Sequence, residues 1–184
     1  PKYNLNISNL SHGAMTGRML EELENIFVRE NPDSVLVYGD TNSTLAAALA
    51  ASKLSIPLIH VESGLRSYNM DMPEEVNRVL TDRLSAYLFC PSEVACDNLF
   101  KEGIRENIHF VGDVMFDVVL HLKELNHLNT IEDLVLEEGE YCVCTLHRQE
   151  NTDNPEKMKN ILESLNIINK DIKVVLPIHP RTKK

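Results

Sequence analysis

The sequence has 184 residues, of which 43% are hydrophobic, and this is enough apolar material for the core of one domain or of parts of two. Eighteen Lys and Arg against 28 Asp and Glu give a net charge of −10, which argues against nucleic acid and anionic membranes as partners. No apolar stretch is long enough to span a bilayer and residues 1–9 lack the layout of a signal peptide, so a soluble protein is expected. The four cysteines form no paired CxxC pattern, which predicts no metal site and favours a reduced, cytoplasmic location.

Helical and strand patterns alternate along the first two thirds of the chain. Asn31 and Pro32 stop the first helix, and Pro73 is suited to the first position of a later one. The predicted order is a helix from residue 16, strand 35–38, helix 43–53, strand 58–61, a helix from 73, strand 87–90, helix 92–101 and strand 108–111. Such βα units predict a parallel sheet covered on both faces, with ligands at the carboxyl ends of the strands.

The regular alternation is interrupted once, after a predicted helix over residues 114–126. The polar, acidic stretch 126–140 indicates a domain connection, and strand 141–145, helix 155–168 and strand 172–176 follow it. One strand-helix-strand unit cannot cover both faces of its own sheet, and the first domain begins without an opening strand. We therefore expect a fragment truncated at both ends. It comprises the C-terminal part of one α/β domain (1–113), an interdomain helix and linker (114–140) and the incomplete start of a second domain (141–184).

Acidic side chains follow the predicted strands and open one of the helices. Asp40 comes after strand 35–38 and is equally explained as a turn or capping residue. Glu62 ends an apolar strand, so its carboxylate must lie in a polar crevice or be paired. Glu74 and Glu75 directly follow Pro73, where a helix N-terminus favours negative charge even without a catalytic task. The four carboxylates are candidates for acid/base chemistry.

Two histidines follow the predicted strands of the second domain. His147 alone is explained as a hydrogen-bonded histidine at a strand end, but its neighbour Arg148 favours a role opposite the first domain's carboxylates. His179 ends the next strand and is a candidate for binding. The sequence contains no GxGxxG, GxxxxGK[ST] or GxSxG motif. We therefore expect no cofactor, and proton transfer by carboxylates and histidine.

Read in order, these segments resemble the motifs of the non-hydrolysing UDP-N-acetylglucosamine 2-epimerases. The matching segments are 35–41 (VLVYGDT), 60–66 (HVESGLR), 73–78 (PEEVNR), 112–115 (GDVM) and 146–151 (LHRQEN). The segments 15–20 (MTGRML) and 179–182 (HPRT) look closer to the subgroup that epimerises UDP-2,3-diacetamido-2,3-dideoxyglucuronate. The resemblance implies a GT-B-like pair of Rossmann-like domains with parallel sheets and the UDP-sugar substrate between them. The family's Gly-x-Arg-Pro and Asp-Ser-Gly-Gly segments are missing and Ser63 replaces the usual Ala, so the fragment alone is expected to be inactive.

The resemblance also implies a reaction and a set of residues. UDP-GlcNAc and UDP-ManNAc would interconvert through UDP elimination to 2-acetamidoglucal and re-addition, for bacterial surface polysaccharide precursors, in a homodimer at full length. The implied catalytic residues are Asp40, Glu62, Glu74 and His147. The implied substrate-binding residues are Arg18, Arg66, Arg78, Arg148 and His179. The alternatives are the diacetamido-glucuronate 2-epimerase, a hydrolysing enzyme that releases ManNAc and UDP, and a GT-B glycosyltransferase.

Overall fold

A computed structural model of the chain describes residues 2–125, 134–137, 139–180 and 182–183. The chain forms two compact units, Pro1–Glu124 and Leu125–Lys184. The division falls inside the predicted 114–140 connection, whereas the assignment of domains stays a prediction. Part of that connection, residues 126–133 and 138, lies outside the described residues, as does Arg181 of the HPR segment.

The first unit alternates helices and strands as the sequence predicts. Its elements are α1 (His12–Glu30), β1 (Val35–Tyr38), α2 (Asn42–Lys53), β2 (Leu58–Val61), α3 (Pro73–Leu84), β3 (Tyr87–Cys90), α4 (Glu93–Lys101), β4 (Ile108–Phe110) and α5 (Val114–Leu125). Helix α1 begins earlier than predicted because the Ser11 hydroxyl accepts a hydrogen bond from the Ala14 N–H and caps the helix there. It ends as predicted, at Asn31 in the left-handed conformation.

The four strands form one parallel sheet in the order β1-β2-β3-β4. Its buried face carries Val35 and Val37 of β1, Leu58 of β2 and Leu88 of β3. The small residues of α2 pack on this face beside β1, and α4 packs on it beside β3. Because alanine side chains are short, α2 can pack close to the strands.

The opposite face of this sheet is open within the part of the chain that the structure describes. Leu36 and Tyr38 of β1 are 46% and 61% exposed, and Tyr87 of β3 is 44% exposed. The prediction that both faces are covered was therefore wrong for the described residues. The order of the strands across the sheet is the same as their order in the chain. Because each crossover is right-handed, every connecting helix then lies on the same face of the sheet.

The second unit contains β5 (Tyr141–Val143), α6 (Gln149–Thr152), α7 (Pro155–Ile168) and β6 (Lys173–Val175), and β5 pairs with β6 in parallel. Helix α7 has the predicted bounds because the Asn154 side chain accepts hydrogen bonds from the first backbone N–H groups and Pro155 follows it. Both strands are shorter than predicted, and the sequence analysis did not predict α6. Among the described residues, no helix combines the length and apolar character needed to cross a membrane.

Gly64, the last residue of the turn that follows β2, tests how closely α4 approaches this turn. Its φ is +78°, and a Cβ atom would lie 2.3 Å from the Ala95 carbonyl oxygen. Gly64→Ala is expected to lower the free energy of unfolding by about 2–5 kcal/mol, from backbone strain and overpacking. Gly103 has a φ of +84° with open space around it, so Gly103→Ala should cost only about 1–2 kcal/mol in urea unfolding. Equal losses for the two variants would contradict the close approach.

Candidate active site

Asp40 and Glu62 lie at neighbouring strand ends. Strands β1 and β2 pair in parallel up to Tyr38 opposite Val61, so the turns that follow them are adjacent. The Gly39 N–H donates to the Val61 carbonyl over 3.1 Å, and a Cβ on Gly39 would lie 3.3 Å from Oε2 of Glu62. The Glu62 carboxylate therefore lies directly over the turn that carries Asp40.

Glu62 has a strained backbone and a perturbed carboxyl group. Its φ is +70°, a left-handed conformation that costs a non-glycine residue about 1–3 kcal/mol and is common at functional sites. Partial burial raises the pKa of the Glu62 carboxyl, Asp113 and Asp40 raise it further, and His60 opposes the shift. The carboxyl is therefore easier to protonate than an ordinary glutamate, which suits a group that both accepts and donates protons.

Asp113 is a member of this acidic cluster that the sequence analysis did not single out. It follows β4, and its Oδ1 accepts a hydrogen bond from the Met115 N–H over 2.8 Å at the start of α5. The available signal was Gly112-Asp113 after a strand, which repeats Gly39-Asp40 after β1.

Residues of α3 bind the turn that carries Asp40. Nη2 of Arg78 lies 2.7 Å from the Asp40 carboxylate and its Nη1 lies 3.3 Å from Glu75. The Asn77 side chain donates to the Asp40 carbonyl over 2.8 Å. Nε of Arg78 is buried and has no hydrogen-bond partner among the described residues. The predicted binding residue Arg78 thus pairs with Asp40, and its Nε–H is an unused donor.

The two carboxylates that open α3 have different environments. Glu75 is buried, and its carboxylate accepts hydrogen bonds from the Ser67 N–H and hydroxyl and from the Tyr68 N–H, each over 2.9 Å. The Glu74 side chain is exposed and forms no hydrogen bond or ion pair with the described residues. Glu75 therefore holds the β2–α3 loop, and Glu74 is the carboxylate open to solvent.

Arg66, predicted to bind substrate, lies in a buried ion-pair network. Its side chain is 1% exposed. Nε and Nη2 donate to the two carboxylate oxygens of Glu102 over 2.6 and 2.8 Å, and Nη1 donates to Asp82 and to the Leu65 carbonyl over 2.7 Å. Each nitrogen of the guanidinium has a protein partner, so Arg66 fixes the loop after Glu62.

In the second unit, two of the predicted residues come together. The rings of His147 and His179 are 5.5 Å apart at an interplanar angle of 37°, because β5 and β6 are adjacent parallel strands. The Thr182 hydroxyl donates to the Leu146 carbonyl and joins the segments that follow these strands. Arg148 is exposed next to His147, and its carbonyl accepts the Asn151 and Thr152 N–H groups at the start of α6. Arg18 is exposed on α1 of the first unit.

The parallel sheet with its connecting helices is that of a Rossmann-like α/β protein. The acidic groups lie at the carboxyl ends of the strands, which is the edge of the sheet where such folds bind ligands. Among the described residues, no group of three or more His, Cys, Asp or Glu is placed to hold a metal ion. The family model described as UDP-N-acetylglucosamine 2-epimerase matches residues 1–184, and the chain belongs to that family.

Relatives of the chain are similar over its whole length. It is 50% identical to a UDP-N-acetylglucosamine 2-epimerase homolog of Methanococcus maripaludis and 52% identical to the UDP-2,3-diacetamido-2,3-dideoxy-D-glucuronate 2-epimerase of Pseudomonas aeruginosa. Both matches cover 100% of this chain and 52% of the relative, so the chain spans about half the length of the curated relatives it matches.

The solved structures give the same result for the fold. The crystal structure of Methanocaldococcus jannaschii UDP-GlcNAc 2-epimerase in complex with UDP-GlcNAc and UDP superposes with a TM-score of 0.90 at 48% identity. The match covers 100% of this chain and 52% of that one. The predicted family and the GT-B-like α/β class with parallel sheets are thereby confirmed.

The neighbouring residues Glu74 and Glu75 give a matched test of their different environments. Glu75→Gln should lower the free energy of unfolding by about 1–3 kcal/mol, because the amide cannot accept all of the hydrogen bonds that the buried carboxylate accepts. Glu74→Gln should stay within about 0.5 kcal/mol of the parent in urea unfolding. Equal effects would contradict the assignment.

The pH dependence gives a second measurement on the same pair. Burial opposes ionisation of Glu75, but the hydrogen bonds from Ser67 and Tyr68 and the charge of Arg78 outweigh it and hold its pKa below the ordinary 4.5. A depressed pKa stabilises the fold above 4.5, and this contribution is lost as the pH falls through the folded-state pKa. The stability difference between parent and Glu75→Gln should therefore shrink as the pH falls below 4.5. A constant difference would contradict the ionised state.

Proposed function

We propose that the full-length protein that contains this chain is a UDP-N-acetylglucosamine 2-epimerase. It would interconvert UDP-GlcNAc and UDP-ManNAc by eliminating UDP to 2-acetamidoglucal and adding it back, as a step in making bacterial surface polysaccharide precursors. The observation that carries the proposal is the Glu62 carboxyl, with its raised pKa, beside Asp40 in a member of this family. The complex of the Methanocaldococcus jannaschii relative with UDP-GlcNAc and UDP supports the substrate class.

The residue types fit the chemistry of this reaction. C2 of the sugar has no adjacent carbonyl, so its proton leaves together with the C1–O bond to UDP, and a proton must then be returned to the other face. Two acid/base groups are required. Glu62 is the first because its carboxyl is shifted toward neutrality. Asp40, paired with Arg78, and the exposed Glu74 are the further carboxylates of the proposed catalytic set.

The basic residues carry the nucleotide part of the proposal. His147 is proposed to assist departure of the diphosphate, and Arg148 and His179 to bind substrate, on the strength of their motifs and of the contact between the two histidines. Arg18 and Arg78 are proposed to bind substrate as well. The resemblance assigned the same task to Arg66, but its buried contacts support holding the loop after Glu62 instead.

The setting of the protein is part of the proposal. Free thiols at all four cysteines, Cys90, Cys96, Cys142 and Cys144, agree with a reduced, cytoplasmic location. The net charge of −10 argues against nucleic acid as a partner. By the family resemblance, we propose a homodimer at full length.

The test of the reaction is incorporation of solvent deuterium. In heavy water, the full-length protein should exchange the proton on C2 of UDP-GlcNAc for deuterium and yield a mixture of UDP-linked epimers. NMR and mass spectrometry would detect both. Glu62→Gln should lower kcat by about 10²–10⁴-fold, as expected for loss of a general acid/base, with normal folding. Glu106→Gln removes an exposed carboxylate before β4, at the other end of the sheet, and should leave kcat unchanged.

Each outcome of that experiment distinguishes one mechanism. Accumulating free UDP and ManNAc would indicate the hydrolysing reaction, and transfer to an acceptor without C2 exchange would indicate a glycosyltransferase. Full activity in Glu62→Gln would overturn the role proposed for Glu62.

One comparison supports a second candidate substrate. The relative from Pseudomonas aeruginosa that is 52% identical is named for UDP-2,3-diacetamido-2,3-dideoxy-D-glucuronate. The two nucleotide sugars differ in charge at C6 and in an amide at C3, and a site built for polar groups discriminates strongly against their absence. We expect kcat/KM to favour UDP-GlcNAc by at least about tenfold. The opposite preference would assign the chain to the diacetamido-glucuronate reaction.

A further inference from the structure

A buried histidine–aspartate pair lies beneath the acidic cluster. His60 is completely buried in β2, and its Nδ1 lies 2.6 Å from Oδ1 of Asp82 on α3. Its Nε2 lies 2.8 Å from the carbonyl oxygen of Gly39. Oδ2 of Asp82, also buried, accepts hydrogen bonds from the Gly64 N–H over 3.1 Å and from Arg66 over 2.7 Å.

The partners of this pair satisfy its hydrogen-bonding groups. A carbonyl oxygen only accepts hydrogen bonds, so Nε2 of His60 donates to Gly39, while Arg66 and the Gly64 N–H both donate to Oδ2 of Asp82. Nδ1 of His60 and Oδ1 of Asp82 form the remaining hydrogen bond with each other. The pair is a fully hydrogen-bonded, buried histidine–aspartate contact.

The pair connects the turns on either side of the acidic groups. Gly39, which accepts from His60, directly precedes Asp40, and Gly64, which donates to Asp82, follows two residues after Glu62. These turns have left-handed backbone at Gly39, Glu62 and Gly64, so the regular parallel ladder does not determine their course. The histidine and the aspartate together supply hydrogen bonds to both turns.

Stability alone does not account for such a pair. A buried ion pair costs desolvation that its attraction often only offsets, and apolar residues of similar volume would stabilise a core equally well. An apolar pair could not bind the Gly39 carbonyl and the Gly64 N–H. The location of the pair, between two turns that carry carboxylates, therefore indicates a positioning role.

We propose that His60 and Asp82 are positioning residues that hold the Asp40 and Glu62 turns in one relative geometry for proton transfer. The proposal rests on the epimerase function proposed above. It assigns no contact with substrate to either residue, since both side chains are buried.

The test compares His60→Gln and Asp82→Asn with Val35→Ala in the full-length protein. In His60→Gln, the amide cannot reproduce both ring contacts, to Asp82 and to the Gly39 carbonyl. In Asp82→Asn, one carboxylate oxygen becomes an NH₂ group and can no longer accept a hydrogen bond. Val35 is buried in the same sheet at the opposite end of β1, so Val35→Ala destabilises without touching either turn. Because a misplacement of about 1 Å can cost 10²-fold, we expect kcat to fall about 10²-fold in the two pair variants, with KM within about threefold. Val35→Ala should keep the parental kcat.

The pH profile separates positioning from general destabilisation. The groups that act on Glu62 are Asp113 and Asp40, which raise its pKa, and His60, which lowers it. Substitution of His60 removes the group that lowers the pKa of Glu62 and leaves the acidic neighbours, so the acid limb of kcat should move to higher pH in His60→Gln. It should not move in Val35→Ala. Parental kcat and an unmoved limb in the folded pair variants would overturn the proposal.

A measurement on the unsubstituted protein avoids any failure of the variants to fold. Proton NMR should show an Nε2–H of the His60 ring that is protected from solvent exchange by its bond to the Gly39 carbonyl, and a freely exchanging ring N–H would overturn the proposal. This readout does not depend on activity. If the protein shows no C2 exchange with UDP-sugars but has the protected ring N–H, the proposed function fails and the buried pair remains. If it shows C2 exchange with an unprotected ring N–H, the function holds and this inference fails.

Discussion

The parallel pairing of β1 and β2 is the constraint on which the candidate site depends. It makes the two strands end side by side, and each is followed by an acidic residue, Asp40 or Glu62. Like charges at such short range repel one another, and the chain as a whole is already at −10. The surrounding contacts have to offset this repulsion if the turns are to stay together.

The two carboxylates differ in how this repulsion is compensated. Asp40 has a direct partner, the guanidinium of Arg78. Glu62 has no such partner among the described residues, and partial burial together with the repulsion from Asp113 and Asp40 raises the pKa of its carboxyl. One acid thereby has a cationic partner while the pKa of the other is raised, and this difference fits the two acid/base roles of the proposed reaction.

The sequence predicted the strands and acidic turns well, because hydrophobic periodicity and Gly-Asp turns are local signals. The helical pattern alone could not decide between Glu74 and Glu75, of which the family resemblance named Glu74. Consecutive helical residues point about 100° apart, and the deciding N–H donors belong to a loop that has no regular pattern. The partnership of His60 with Asp82 was equally hidden, since 22 residues separate them. The open face of the sheet results from the order of the strands. The hydrophobic pattern of a single helix or strand does not reveal that order.

The left-handed backbone at Glu62 determines which residue types are least strained at this position. Asn, Asp and Gly adopt this conformation with less strain than Glu, so local backbone preference would place one of them here. Asp would keep the charge but shorten the reach of the carboxylate by one methylene group. The presence of the longer acid therefore reflects the distance its carboxylate must span, and substitutions at this residue alter main-chain energy and reach together. For a mutant series at this site, Gln is the replacement that changes charge while keeping length.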